Sequence, residues 1–256
     1  MFVDRECKDL RSPLCSPQKS WCQGQHRETI VTIYIPKQWK EGIKRAYVDL
    51  AMSMDINTLM EKAHRFARIG RYDEAISCYD QVLEVDGKNT TALENKGKIY
   101  YLLGRHEDAI AWYDKALAIN KNLASAWFEK GYTLRKIQRY EESIKFFDQA
   151  ILRDPDYVFA LANKGYALNE LGKFIEAIAC FDTILKTSPN NLRVMTAKGI
   201  SLRELGKNTE ALAYFDAVLS LNPLNSFVWK NRAVALRNLG RIYEAEESER
   251  QGDGTL

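Results

Sequence analysis

Residues 70–76 read Gly-Arg-Tyr-Asp-Glu-Ala-Ile, and the pattern returns at residues 104–110 as Gly-Arg-His-Glu-Asp-Ala-Ile and at residues 172–178 as Gly-Lys-Phe-Ile-Glu-Ala-Ile. These positions are separated by 34 residues or by twice that distance. The glycine recurs again at positions 206 and 240, and Gln138 replaces it at one intermediate position. Because self-similarity at a fixed period indicates a repeat architecture, we interpret most of the chain as an array of 34-residue units.

Each unit has the sequence pattern of two helices. In residues 161–168 and 177–184, apolar or small residues recur three to four positions apart, which is the spacing of one helix face. Residues 171–174, Leu-Gly-Lys-Phe, lie between these segments and contain the glycine that typically ends a helix. Residues 188–191, Ser-Pro-Asn-Asn, supply turn residues after the second segment. The pattern predicts a pair of antiparallel helices per unit.

Two columns of residues at the repeat spacing predict how the helices of a pair contact each other. One column is glycine, at Gly97, Gly131, Gly165 and Gly199. The other, on the second helix, is aromatic, at Tyr79, Tyr113, Phe147, Phe181 and Phe215. Because glycine inside a helix costs up to about 1 kcal/mol relative to alanine, its recurrence indicates that the partner helix approaches too closely for a larger side chain.

The repeat resembles the tetratricopeptide repeat family. One nearly complete copy of the family pattern is carried by Trp127, Gly131, Ser143, Phe147, Ala150 and Pro155. Five full copies begin near Ile56, Thr90, Ala124, Val158 and Leu192. A degenerate sixth begins near Ser226 and has Glu249 in the aromatic column, which predicts a solvent-facing cap. The array is therefore predicted to span residues 56–250.

The resemblance implies an all-α fold, a right-handed superhelix (α-solenoid) of antiparallel helix pairs whose first helices line a concave face. It also implies a non-catalytic scaffold that binds a protein or peptide in the concave groove. On that face, the residues that change from copy to copy are not dictated by stacking. From these we predict a peptide-binding set: Phe128, Tyr132, Arg135, Phe159, Tyr166, Arg203, Phe227 and Arg237.

The aromatic members of this set are expected to take apolar side chains, and the arginines are expected to pair with carboxylates. An alternative interpretation is that the aromatic rings pack against adjacent helices and only stiffen the groove. The identity of the partner cannot be inferred from the sequence.

Two charged columns have a structural interpretation. The basic column is Lys62, Lys96, Lys130, Lys164, Lys198 and Arg232, and the acidic column is Asp80, Asp114, Asp148, Asp182 and Asp216. The acidic residues lie sixteen positions before the last five basic ones, which predicts a ladder of ion pairs between neighbouring helices. A basic stripe for nucleic acid would leave the acidic column unexplained.

Composition and motifs exclude several other function classes. The net charge of +3 does not indicate nucleic acid, and there is no apolar run long enough for a membrane helix, so a cytoplasmic protein is expected. The sequence contains no Gly-x-Ser-x-Gly, phosphate-binding glycine loop or His-Glu-x-x-His motif, and its three histidines are scattered. We therefore predict no enzyme activity, no cofactor and no metal.

The residues outside the array form three predicted segments. Residues 1–27 lack periodicity and are predicted to be a disordered tail, and residues 251–256 a second tail. Residues 28–55 are predicted to contain a short strand at 29–36 and then a helix. Whether residues 1–51 belong to the native protein is left open, because Met52 or Met54 is an alternative start. End-to-end self-association also stays open.

Residues 28–55 have two competing interpretations. A strand followed by two helices is weakly similar to the ribbon-helix-helix DNA-binding family, which gives the alternative function of a DNA-tethered regulator with a repeat domain for its partner. One face of the strand, however, offers Ile30, Thr32 and Tyr34, without the arginine or lysine that commonly reads base edges. The other interpretation is a helix that caps the first repeat.

Overall fold

The computed structural model describes residues 55–254, and in that range the chain is entirely helices and short connections. The helices belong to one compact unit, residues 47–256. Helix α1 is described over residues 55–68. The others are α2 (Tyr72–Val85), α3 (Thr90–Leu102), α4 (His106–Ile119), α5 (Ala124–Lys136), α6 (Tyr140–Arg153), α7 (Val158–Glu170), α8 (Phe174–Thr187), α9 (Leu192–Glu204), α10 (Asn208–Leu221), α11 (Ser226–Asn238) and α12 (Ile242–Asp253). The predicted all-α solenoid of helix pairs is confirmed.

The turn inside each helix pair explains the first glycine column. Gly70, Gly104, Gly172, Gly206 and Gly240 all have φ between +72° and +78°, a left-handed conformation that glycine adopts without steric penalty. In the turn after α7, the Gly172 N–H donates to Asn169 O and the Lys173 N–H to Leu168 O, so helix carbonyls are capped. Gln138 adopts the same conformation, with φ of +63°, and is the strained member of the column.

The predicted copies begin where the structure starts its odd-numbered helices. Helices α3, α5, α7, α9 and α11 start at the five predicted residues from Thr90 to Ser226. The side chains of Asn89, Asn191 and Asn225 cap three of these helices, each by accepting a hydrogen bond from the backbone N–H three residues on. An asparagine side chain thus caps the first turn of each of these three helices and determines where the helix starts.

The second glycine column makes room for aromatic rings. A Cβ atom built on Gly165 would lie 2.5 Å from Cε1 of Phe181, and one built on Gly199 would lie 2.6 Å from Cε1 of Phe215. Both rings are fully buried, so they cannot swing into solvent. The predicted close approach is confirmed, and the group that requires it is the ring sixteen residues later.

The charged columns form the predicted ladder. Lys130 pairs with Asp114 at 2.5 Å and Lys164 with Asp148 at 2.5 Å. The equivalent pairs at the other steps are Lys96 with Asp80, Lys198 with Asp182, and Arg232 with Asp216. Each pair joins the first helix of one copy to the second helix of the preceding copy, so the basic column is part of the stacking.

The C-terminal boundary differs from the prediction, while the N-terminal predictions lie outside the described residues. Helix α12 continues to Asp253 and ends at Gly254 in the left-handed conformation, so residues 251–253 are helical and not tail. Glu249 on this helix, which occupies the aromatic column in the last copy, accepts two hydrogen bonds from Arg237. The predictions for residues 1–27 and for the strand in residues 28–55 fall outside the described range.

Candidate functional site

A groove of about 1050 Å³ lies along α5, α7, α9 and the start of α11, the first helices of four consecutive copies. Neighbouring first helices contact each other directly, so their exposed faces form one continuous surface. Its lining residues are Phe128, Tyr132, Arg135, Lys136, Phe159, Asn163, Tyr166, Asn169, Glu170, Phe174, Leu192, Arg193, Thr196, Ala197, Ile200, Glu204, Asn222, Asn225 and Phe227. The groove is large enough for several side chains of a bound segment.

The structure brings together six of the eight residues predicted to bind a peptide. Those in the groove lining are Phe128, Tyr132, Arg135, Phe159, Tyr166 and Phe227. Arg203 and Arg237 do not line it, because each is engaged elsewhere. Arg203 Nη1 donates to Asn231 Oδ1 at 2.5 Å, and Arg237 forms a two-bond pair with Glu249. The structure thus places these two arginines outside the groove lining, and their role in peptide binding stays a prediction.

The predicted aromatic cluster is a run of ring contacts across α5 and the start of α7. The rings of Phe128 and Tyr132 lie 5.8 Å apart, and those of Phe128 and Tyr157 lie 5.1 Å apart. Tyr157 continues the run to Phe159 at 6.4 Å, and Tyr101 joins it at the Tyr132 end at 5.6 Å. Tyr157 and Tyr101 were missed from the predicted set.

Not all of these rings are free surface. Phe128 also packs on the fully buried Phe147, and Tyr166 packs on the fully buried Phe181, so the alternative of rings that stiffen the groove holds for this pair. Phe159 and Phe227, by contrast, expose 67% and 59% of their surface. These two phenylalanines are the apolar groups that a ligand would cover.

Two polar atoms in the groove lining are buried without a partner. Arg135 Nε and Tyr166 Oη are among the four buried side-chain atoms in residues 55–254 that make no hydrogen bond. Burial raises the pKa of Tyr166, against the opposing effect of the Arg193 and Arg135 charges, so both guanidinium groups act on this hydroxyl. Such unpaired groups in a native structure require an explanation, and a functional site is one.

The groove carries a positive local charge. Three basic residues of the lining, Arg135, Lys136 and Arg193, form no ion pair within the part of the chain that the structure describes. Of the two acidic lining residues, Glu170 is likewise unpaired and Glu204 pairs with Arg203, so the unpaired charges are three positive and one negative. Arg135 instead stacks near Tyr132, with its guanidinium carbon 5.3 Å from the ring centroid. Arg193 was not in the predicted set, although it belongs to the same variable column as Phe159 and Phe227.

The described residues contain neither a metal cluster nor a membrane helix. No group of three or more His, Cys, Asp or Glu side chains among residues 55–254 is placed to hold a metal ion. None of the helices in that range is both long and apolar enough to cross a membrane. The two described histidines lie apart, His64 beside Asn95 and His106 against Tyr101.

Family models described as tetratricopeptide repeat match most of the array. One model matches residues 60–124 and 196–252, a second matches residues 124–157, and a third matches residues 146–179. No curated protein sequence matches the chain. The ribbon-helix-helix resemblance of residues 28–55 is not confirmed by these matches.

Several solved structures share the fold. PilW, described as a widely conserved type IV pilus biogenesis factor, is 25% identical with a TM-score of 0.68, over 78% of this chain and 93% of PilW. YrrB, a TPR protein with an unusual peptide-binding site, is 21% identical with a TM-score of 0.61, over 68% and 90% of the two chains. A tetratricopeptide repeat protein from Parabacteroides merdae is 19% identical with a TM-score of 0.67, over 76% and 77%.

Proposed function

The chain belongs to the tetratricopeptide repeat family, and we propose that it is a non-catalytic scaffold whose groove binds a segment of a partner protein. The segment carries an acidic group next to apolar side chains. The observation that carries this proposal is the pair of unpartnered polar atoms in the groove, Arg135 Nε and Tyr166 Oη. The fold is also that of YrrB, whose structure is described as having a peptide-binding site.

A carboxylate suits both atoms. It accepts hydrogen bonds from an arginine N–H and from a phenolic O–H, and bonds in which one partner is charged are the stronger class. The positive charge of Arg193 acts at the same point. A buried donor that is left unpaired costs about 1–3 kcal/mol, and a ligand that pairs it removes that penalty. A ligand carboxylate would therefore supply the hydrogen-bond partner that these two buried atoms lack in the free protein.

Apolar contacts supply the second part of the recognition. Phe159 and Phe227 flank the groove with most of their surface exposed, and Phe128 forms part of its floor. Large apolar anchors beside charged pairs are the usual source of binding energy at protein interfaces. We therefore expect aromatic or aliphatic residues adjacent to the aspartate, glutamate or terminal carboxylate of the ligand.

The test is a selection of random peptides displayed on phage against the purified protein. Peptides that share an acidic residue beside an apolar one are expected. Their affinity should fall about tenfold or more in Tyr166→Phe, which removes one hydrogen bond to a charged group. Arg135→Lys, which keeps the charge but removes the Nε donor, should act in the same direction. Loss of affinity through Phe159→Ala tests the apolar contact.

A matched control is Ile175→Ala on α8, which is as exposed as Phe159 but does not line the groove. Its affinity for the selected peptides should equal that of the wild type. Affinity that is unchanged in Tyr166→Phe and Arg135→Lys but lost in Ile175→Ala would contradict the proposal.

A further inference from the structure

A second polar cluster lies beside the aromatic run, between α3 and α5. Lys98 Nζ lies 2.8 Å from Glu94 Oε1 and 3.4 Å from Glu129 Oε1, and Ser125 Oγ donates to Glu94 Oε2 at 2.7 Å. Both carboxylates are largely covered, with side-chain exposures of 12% for Glu94 and 23% for Glu129. Two negative charges therefore share one ammonium group, and the cluster is one positive charge short of neutrality.

Stacking of the repeats does not require this charge. The column of Glu129 is not uniformly acidic: it holds asparagine at Asn95, Asn163 and Asn231, alanine at Ala197 and a second glutamate at Glu61. In the preceding copy, the equivalent contact across 31 residues has an amide in place of the carboxylate, with Asn95 Nδ2 and His64 Nε2 at 3.2 Å. An amide is therefore compatible with this position, so stacking of the repeats does not require a carboxylate here.

The negative charge of the Glu129 carboxylate is only partly compensated by its neighbours. Burial raises its pKa, and Lys98 only partly offsets this effect. The hydroxyl of the fully buried Tyr113 makes no hydrogen bond of normal geometry, although the Thr133 side chain lies close enough to lower its pKa. The charges of Glu129 and Glu94 both add to the raised pKa of Tyr113, after the larger effect of its burial. An incompletely paired carboxylate pair and a buried hydroxyl without a hydrogen bond of normal geometry thus occur together.

The aromatic run comes within electrostatic reach of the cluster at Tyr157, whose ring contacts that of Phe128 at 5.1 Å. Burial raises the pKa of Tyr157 to about 12, and the charge of Glu129 contributes to this shift. Aromatic faces and carboxylates together form an environment that attracts organic cations, since both present negative charge density.

We propose that Glu94 and Glu129 form a subsite for a lysine or arginine side chain of the bound segment. The inference rests on the proposed function, because it extends the same groove. From α3 to α9 the surface then presents carboxylates, the aromatic run, and the Arg135, Tyr166 and Arg193 group in turn. The complementary ligand is a segment with a basic residue, an apolar middle and an acidic residue, and this polarity fixes its direction in the groove.

The direct test uses small probes, so it does not depend on knowing the partner. The full-length protein is titrated with N-acetyl-lysine methylamide, whose only charge is its ammonium group, and amide chemical shifts of Ser125 and Glu129 are followed by NMR. The Nε-acetylated form of the same probe is the neutral comparison. The charged probe should bind at least about tenfold more tightly than the neutral one.

Glu129→Gln removes the charge and leaves an amide, the group that other copies carry in this column. It should abolish the preference for the charged probe. Glu141→Gln is the matched control, because Glu141 is an exposed glutamate on α6 that neither lines the groove nor belongs to the cluster, and the preference of this variant should be unchanged. Equal binding of the two probes by the wild type, or an undiminished preference in Glu129→Gln, would overturn the proposal.

The two proposals fail separately. Suppose that phage-selected peptides bind Glu129→Gln as well as wild type but bind Tyr166→Phe less tightly. The cation subsite is then wrong, and the scaffold function stands. If no peptide is selected but the charged probe binds in a manner that depends on Glu129, the subsite stands and the proposed function is wrong.

Discussion

Replacing Tyr166 with phenylalanine should make the protein more stable, which is the reverse of the usual effect of losing a hydroxyl. The Tyr166 ring packs against Phe181 with centroids 5.7 Å apart, and phenylalanine keeps that contact. The atom that is removed, Tyr166 Oη, is buried and makes no hydrogen bond. In the unfolded chain the same hydroxyl bonds to water, so folding loses a bond and gains none.

The size of the effect follows from this difference. Leaving a buried donor unsatisfied costs about 1–3 kcal/mol, so Tyr166→Phe should raise the free energy of unfolding by about 1 kcal/mol or more. Tyr214→Phe is the matched control, because the Tyr214 hydroxyl receives a hydrogen bond from Lys198 at 2.6 Å. That variant should lose about 0.5–1.5 kcal/mol, the net value of a typical intramolecular hydrogen bond.

Urea unfolding followed by far-ultraviolet circular dichroism measures both variants. The unfolding slope should be the same in each, since neither substitution changes the buried surface appreciably. If Tyr166→Phe loses as much stability as Tyr214→Phe, the Tyr166 hydroxyl has a partner in solution. It would then not be free for a ligand, and the argument for a carboxylate at this point would fail.

Three further substitutions test the fold and the charge balance by the same unfolding measurement. Gly165→Ala should lower the free energy of unfolding by about 1–3 kcal/mol, because the added methyl group clashes with Phe181. The higher helix propensity of alanine offsets up to about 1 kcal/mol of this loss, and a variant as stable as the wild type would show that the ring does not require glycine. Gln138→Gly should add about 1 kcal/mol, because it relieves the left-handed conformation at φ of +63°, and a loss would refute that strain. Burial raises the pKa of Glu129, with Lys98 lowering it and Glu94 adding to it, so the protonated carboxyl stabilises the fold at pH values below the unfolded-state pKa near 4.5. That contribution is lost as the pH rises through the folded-state pKa, so the wild type should lose stability relative to Glu129→Gln over that window, and a constant difference between the two would contradict this.

The sequence predicted the fold well because the determinants of the fold are local and repeated. A glycine that ends the first helix recurs in five copies, a ring sixteen residues after a glycine in four, and an asparagine that caps a first helix in three. Each recurrence is an independent observation of the same geometry. The ion-pair ladder from Asp80 to Arg232 was predictable for the same reason, because its two columns keep a constant separation.

The candidate site was predicted less well, because it depends on interactions that do not repeat. Arg203 and Arg237 occupy the same column as Arg135, but Asn231 and Glu249 engage them, and nothing at the repeat spacing predicts this. The unpartnered state of Tyr166 Oη depends on which side chains fail to reach it. Glu129 could have been found, as a charged member of a column that holds asparagine in three of its six copies.

A ligand carboxylate that binds between Arg135 and Tyr166 would be seen in a crystal structure of the protein with a phage-selected peptide bound. We expect a peptide carboxylate within hydrogen-bonding distance of Arg135 Nε and Tyr166 Oη, with an adjacent apolar side chain against Phe159 or Phe227. A peptide bound on the second helices of the repeats, or one that leaves Arg135 Nε and Tyr166 Oη unpaired, would contradict this expectation.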